Sequence, residues 1–167
     1  MICIVDFDGT FMKNDFFKER FFKKILENPI FLIKYFLVKR RSLLELKIEL
    51  LSEFSIEYDI NFLINPLVIN WINENKRKYD QVVLVSASPD FFLKNTLRSL
   101  KIFNEIHGSV DVNLKGRYKL EYIQKKWGDN FDYIGDSNDD IPIFEASRNA
   151  FKITKIEIGF LDSGKEY

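Results

Sequence analysis

Ile2-Cys3-Ile4-Val5 is a short apolar run that empties directly into Asp6-Phe7-Asp8-Gly9-Thr10, and no other junction constrains the fold as strongly. Such a run predicts a strand buried on both faces, with the two acids placed where the strand opens into a loop. Using both Asp6 and Asp8 on one ligand requires the backbone to turn immediately after Asp6, and Gly9 permits that turn.

From Lys13 to Tyr79 the pattern is helical. Phe17, Phe21, Ile25 and then Leu32, Tyr35, Phe36 recur at three-, four- and seven-residue spacings, and Asn28-Pro29 marks a helix boundary with proline in a first turn. A second boundary falls near Arg41. There Ser42 and Glu45 form a capping-box pattern ahead of Leu46, Leu50 and Leu51. Another helix follows Asn65-Pro66, with Leu67, Trp71 and Ile72 on its apolar face.

At Gln81 the signal changes. Val82-Val83-Leu84-Val85 predicts a second buried strand that ends at Ser86. A helix is expected from near Pro89 to about Leu100, a strand over 103–107, a polar loop through Asn113 and a helix over 118–127 stopped by Gly128. A strand over 131–134 leads into Gly135-Asp136, then a helix over 140–147 and a strand over 151–154. Residues 157–167 carry no readable pattern. Strands alternating with helices predict an α/β fold on a parallel sheet with right-handed crossovers, and ligands in such sheets bind at the carboxyl ends of the strands.

A chain of 167 residues suits one compact domain with a small insert. Basic and acidic residues balance at 25 each, which leaves no global case for nucleic-acid binding. Locally, Lys13 to Lys47 holds ten basic residues against four acidic ones, so the helical stretch is basic and the remainder acidic. Cys3 is the only cysteine, which excludes an intrachain disulfide and predicts a packed thiol. Lys18, Arg20, Lys23, Lys24 and Lys34 interrupt the Phe-rich stretch 16–38, so no run near ~18 uncharged residues develops. The acids at 6 and 8 break any secretory signal, and a cytoplasmic location is expected.

Three of the inferred strands end in residues suited to one reaction: Asp6 and Asp8 after the first, Ser86 after the second, Asp136 and Asp140 after that over 131–134. Lys115 and Lys119 lie between the last two groups. This order, with Leu84-Val85-Ser86-Ala87-Ser88 and Gly135-Asp136-Ser137-Asn138-Asp139-Asp140, resembles the four motifs of the haloacid dehalogenase (HAD) superfamily over nearly the whole chain. The resemblance implies a Rossmannoid three-layer core, 1–12 and 80–167, with an all-helical cap, 13–79, inserted between the first two motifs.

The chemistry has reasons of its own. A phosphomonoester is a dianion of very low reactivity, so its hydrolysis needs charge neutralisation and an in-line nucleophile. Asp6 is ionised at neutral pH and can form an aspartyl-phosphate that water later cleaves. Asp6 and Asp136 would hold a hard divalent cation, Mg²⁺, through oxygen, and the resemblance adds the Asp8 backbone carbonyl. Asp8 is suited to protonate the leaving alkoxide and then to deprotonate the attacking water. Ser86 can donate to a phosphoryl oxygen and a lysine can neutralise nucleophile and phosphate together. Lys119 is preferred for that role, and Lys115 in Asn113-Leu114-Lys115-Gly116 reads as a loop anchor. The resemblance places Thr10, Ala87 and Lys115 at the phosphate beside Asp6, Ser86 and Lys119. Asp140 should orient the Asp136 loop or meet the metal through water. Ser88-Pro89 reads as a helix start, and His107 as a core or loop residue.

The insert resembles the cap of phosphoserine-phosphatase-like members, and such a cap closes over the site and sets the substrate. Asn28-Pro29, 44–51, 65–71 and Asn113-Leu114-Lys115-Gly116 are similar to HAD domains associated with UbiA-type membrane prenyltransferases. Unlike the fused forms, no membrane-spanning segment is expected within these 167 residues. The expected activity is a Mg²⁺-dependent phosphatase acting on a sugar phosphate or a polyprenyl-linked sugar phosphate. Two alternatives stand beside it: a soluble small-metabolite phosphatase, and a non-catalytic partner of a membrane transferase. Adjacent pairs such as Phe16-Phe17 and Phe21-Phe22 cover too wide an arc for one buried stripe, so the basic, Phe-rich cap could also attach peripherally at the inner face of a membrane.

Overall fold

The computed structural model describes residues 1–31, 42–52, 63–154 and 158–161. In chain order its elements are β1 (Ile2–Val5), α1 (Phe16–Glu27), α2 (Leu43–Ser52), α3 (Pro66–Asn75), β2 (Gln81–Pro89), α4 (Asp90–Thr96), β3 (Glu105–Ser109), α5 (Arg117–Trp127), β4 (Phe131–Gly135), α6 (Ile141–Ala146), β5 (Asn149–Ile153) and β6 (Ile158–Leu161). Single 3-10 turns cover Lys76–Lys78 and Asn138–Asp140. The strand order is β3-β2-β1-β4-β5-β6.

Period-two burial in the strands creates three layers. On β1, Cys3 and Val5 enter one apolar cluster with Val82, Leu84 and Ile134, together with Val68 and Ile72 of α3 and Phe92 and Leu93 of α4. Ile4 faces the other way, into a cluster with Val83, Val85, Phe131 and Tyr133, Ile123 of α5 and Ile143 and Phe144 of α6. Strands β1 to β5 pair in parallel as expected. At one edge β6, from the stretch that carries no readable pattern, runs antiparallel to β5. The link between them is too short for the crossover that parallel pairing demands.

Register places the site. Val5 sits opposite Leu84 on one side and Ile134 on the other, so β1, β2 and β4 release their chains at one level. The sheet also changes direction here, because the chain builds outward from β1 through β2 to β3 and then returns to β4 on the other flank. A crevice at such a switch point is the usual ligand position in open α/β sheets.

Several local expectations are realised in detail. Ser42 N–H donates to Glu45 Oε2 at 2.6 Å and Glu45 N–H donates to Ser42 Oγ at 3.2 Å, the reciprocal cap of α2. Asn65 caps α3 by accepting from Leu67 N–H at 3.1 Å, with Pro66 in the first turn. Other expectations move. Val68 rather than Leu67 is the buried partner of Ile72. Trp71 is half-buried against Phe151. β2 continues past Ser86 to Pro89 through a register shift, and α4 ends at Thr96 instead of Leu100. Cys3 is fully buried. His107 lies on β3, with Glu105, Tyr122 and Lys126 around its ring. The helical spacing through Leu32, Tyr35 and Phe36 and the boundary at Arg41 lie outside the described residues.

The chain leaves and re-enters the core through one antiparallel contact. Lys13 N–H donates to Leu63 O at 2.9 Å and Asn65 N–H donates to Phe11 O at 2.8 Å. After that return α3 packs on the sheet, because its Val68 and Ile72 share the cluster of β1 and β2. α3, which falls within the insert expected over 13–79, packs against the core.

Candidate active site

Asp6 follows β1 directly, and its N–H donates to Ile134 O of β4 at 2.9 Å, which fixes the first residue of the loop to the neighbouring strand. Gly9 turns the chain with φ of 79°, and a Cβ there would collide with the Asp136 carboxylate. Glycine at this position therefore serves both the turn and the close approach. Side-chain oxygens of Asp6, Asp136 and Asp140 lie within 4.8 Å of one another. Residues separated by 130 positions in the chain meet at one point.

Lys119 is the counter-charge. Its Nζ donates to Asp6 Oδ1 at 2.9 Å, to Asp140 Oδ1 at 3.2 Å and to the Tyr133 hydroxyl at 3.0 Å, with 3% of the residue exposed. Burial alone would lower its pKa, but the two carboxylates override burial and hold it above the ordinary lysine value. Burial raises the Asp6 carboxyl, against Lys119 and with the help of Asp140. Burial likewise raises Asp136, against a hydrogen bond from Thr10. For Asp140 the balance is reversed: burial is overcome by Lys119 and by hydrogen bonds, and its pKa falls. Both of its oxygens are occupied. Oδ1 accepts from Tyr133 and Lys119, and Oδ2 accepts from the N–H and hydroxyl of Ser137. Asp140 therefore ties the Asp136 loop to Lys119.

Asp8 lies apart from that trio. Ser88 Oγ donates to its Oδ2 at 2.6 Å and Phe16 N–H donates to its Oδ1 at 3.3 Å. Burial pushes its pKa up to about 6, with the Ser88 hydrogen bond opposing. A partly buried carboxyl poised near neutrality can hold or release a proton in working conditions.

A cavity of about 280 Å³ opens over these groups, lined from the core by Asp6, Asp8, Ser86, Ala87, Lys119 and Asp136. From the other side Phe17 of α1 and Leu43 and Lys47 of α2 close it. Of the residues expected to contact phosphate, the structure gathers Asp6, Ser86, Ala87, Lys119 and Lys115 at this cavity. Thr10 is the exception. It is fully buried and its hydroxyl donates to Asp136 Oδ1 at 2.9 Å, so it supports a carboxylate instead of lining the cavity. Lys115 sits at the mouth, half-exposed and paired with Asp139 at 2.9 Å, while Lys119 is the lysine in contact with Asp6.

Three residues of the site escaped the sequence reading. Ser88 shares a strand face with Ser86 by period two, a signal masked by the proline after it. Lys47 is buried beside apolar Leu46 on a helix whose leucines fixed its facing. Tyr133 looks like an ordinary core aromatic until its hydroxyl is seen between Lys119 and Asp140.

The donor set fits a hard divalent cation. Three carboxylates converge within reach of one ion, burial raises the pKa of Asp6 and Asp136, and among the described residues no sulfur or imidazole joins the group.

No family model matches the chain. An uncharacterized protein, y4nM, of Sinorhizobium fredii is 28% identical over 170 residues, covering 99% of this chain and 32% of the relative. The chain thus spans about a third of that curated relative. Among solved structures, phosphoserine phosphatase in its apo form superposes with a TM-score of 0.55 at 21% identity, over 89% of this chain and 84% of the other. A phospho-aspartyl intermediate analogue of phosphoserine phosphatase gives 0.53 at 19% identity, over 89% and 84%. A HAD-superfamily hydrolase from Ehrlichia chaffeensis gives 0.54 at 19% identity over 98% and 92%. Layer order, strand order and these superpositions agree: the chain has the α/β fold of HAD-superfamily hydrolases.

Proposed function

We propose that this protein is a Mg²⁺-dependent phosphomonoester phosphatase that works through an aspartyl-phosphate at Asp6. The observation that carries the reading is the meeting of Asp6, Asp136 and Lys119, a nucleophile, a second carboxylate and a cation in one buried cluster. Asp6 and Asp136, with the Asp8 carbonyl, would hold Mg²⁺, which when bound neutralises the phosphoryl group and the carboxylates. Asp6 attacks the phosphorus in line. Lys119 holds the Asp6 carboxylate in place and offers positive charge to the phosphoryl oxygens, as Ser86 offers a hydroxyl. Asp8 protonates the departing alkoxide oxygen, and as carboxylate it then takes a proton from the water that cleaves the acyl phosphate. Ser88 orients Asp8, and Asp140 orients Lys119 and the Asp136 loop.

Turnover of para-nitrophenyl phosphate with Mg²⁺, abolished by chelator, is the expected result. Silence of metal-loaded protein across a broad ester panel would instead favour the non-catalytic partner of a membrane transferase. Mg²⁺ should also raise the melting temperature by several degrees above pH 7, because a cation relieves the repulsion among the acids.

The pH dependence has a definite sign. Phosphoryl transfer needs Asp8 protonated, and its pKa is about 6, so the rate of the first step should fall as pH rises through about 6. Asp8→Asn should flatten that limb and lower kcat by about 10²–10³-fold. Stopped-flow release of the alcohol between pH 5 and 8 measures both.

The cap is assigned to 13–63, since α3 packs with the sheet. A cavity of about 280 Å³ supports a small phosphorylated metabolite over a polyprenyl-linked sugar phosphate, with a free sugar phosphate within its range. Peripheral membrane attachment is supported by Phe22, Leu26 and Ile30, exposed by 61%, 83% and 69% on the outer side of the cap near Lys23. That version predicts co-sedimentation with anionic vesicles at low salt and release at high salt. A chain that stays in the supernatant loses it.

A further inference from the structure

Lys47 is a buried cation that the chemistry above does not use. It lies on α2 in the cap, 7% of the residue is exposed, and its stem reaches across to the core. Nζ donates to Ala87 O at 2.9 Å and to Asn113 Oδ1 at 3.3 Å, two neutral acceptors. The Phe17 ring lies beneath it at 5.6 Å. Among the described residues no carboxylate lies within ion-pair distance of this ammonium. Burial accordingly lowers its pKa, with Asp8 and Asp15 opposing from a distance.

An ammonium has three N–H donors, and a buried one spent on two neutral oxygens lacks a counter-ion. It lines the same cavity as Asp6 and Ala87. The cap carboxylate there, Asp15, accepts from Lys18 N–H at 2.9 Å and pairs with Lys18 Nζ at 2.9 Å. No cap carboxylate among the described lining residues is left to receive a substrate ammonium. The cavity therefore has a positive group without a carboxylate partner on the cap side, apolar lining from Phe17 and Leu43, and the residues of the proposed phosphoryl site on the core side.

We propose that Lys47 selects phosphomonoesters carrying a second anionic group, a carboxylate or a second phosphate, close to the phosphoryl, and disfavours esters carrying an ammonium. The proposal rests on the phosphatase reading for the place of the phosphoryl group, and it names the substrate class. The substrate's second anion supplies the counter-ion that the fold withholds, through a charge-assisted hydrogen bond in a partly dry site. Ala87 O, which also accepts from Ser109 Oγ at 3.0 Å, keeps the ammonium in position whether or not the ligand is present.

Calorimetric titration of the Asp6→Asn protein in Mg²⁺ separates this idea from turnover. The probes are ethyl phosphate, phosphoethanolamine, 2-phosphoglycolate and 1,3-propanediol bisphosphate. At least one anionic probe should bind about tenfold or more tightly than ethyl phosphate, with phosphoethanolamine weakest. The tighter of the two anionic probes tells carboxylate from phosphate. Adding Lys47→Met should bring the ratio to within about twofold, and Lys47→Arg, which keeps the charge, should preserve the preference. Equal binding of the four probes, no binding of any, or a preference that survives Lys47→Met would each overturn the proposal. The phosphatase reading falls separately, on the absence of Mg²⁺-dependent turnover by the unmodified protein.

Discussion

Asp6→Asn is expected to lower phosphomonoester turnover by about 10⁴-fold or more, with no loss of fold. The amide has the shape of the carboxylate but cannot attack phosphorus, so the covalent step disappears. Stability should move the other way. Burial raises the folded-state pKa of Asp6 above its unfolded value, with Asp140 and Asp136 adding to the rise. The native state of the metal-free parent therefore binds the extra proton, and its stability falls as pH rises from about 4 toward neutrality. Asparagine removes that dependence, while Lys119 keeps Asp140 and the Tyr133 hydroxyl as partners. Without metal, the variant should be at least as resistant to urea as the parent at pH 8, and the difference should vanish near pH 4. Inactive protein that is also unfolded would remove this explanation.

Lys119→Met combines the two effects with one sign. Turnover should fall by about 10²–10⁴-fold, because nucleophile and phosphoryl oxygens lose their common cation. Stability at pH 8 should fall by about 3–5 kcal/mol, because Asp6 and Asp140 stay buried without the charge that both contact. That deficit should shrink as pH is lowered, since burial already raises the Asp6 carboxyl and protonation removes the repulsion. Urea titrations at pH 5 and pH 8 measure the difference. The exposed Lys115, paired with Asp139 at the cavity mouth, is the comparison: Lys115→Met should cost about 0–1 kcal/mol. Equal effects of the two substitutions would contradict the assignment of Lys119 over Lys115.

The core strands could be read from sequence because burial on both faces leaves a compositional mark. Ile2 to Val5 and Val82 to Val85 are apolar or β-branched runs, Phe131 to Ile134 is apolar but for Asp132, and each leads into residues of the site. Motif order then carried Asp6, Asp136 and Lys119 to the same end of the sheet. What remained hidden depended on partners rather than period. β6 is a short edge strand paired with β5, so its pattern carries little of its own. α3 has the helical spacing of the insert, and only its packing partners, Cys3 and Leu84 among them, show that it covers the sheet. The family resemblance implies a phosphate contact for Thr10, but its hydroxyl donates to Asp136. Lys47 carried no local signal, since a long side chain on an amphipathic helix is solvated unless its tip finds acceptors elsewhere.

The central claim is that Asp6 and Asp136 share one divalent cation while Asp6 takes the phosphoryl group. Crystals grown with Mg²⁺ and beryllium trifluoride test it most directly. The account predicts a beryllium fluoride adduct on an Asp6 carboxylate oxygen, with Mg²⁺ at about 2.0–2.1 Å from oxygens of both Asp6 and Asp136, and Lys119 still in contact with Asp6. An adduct on another residue, or a cation that Asp136 does not touch, would contradict it.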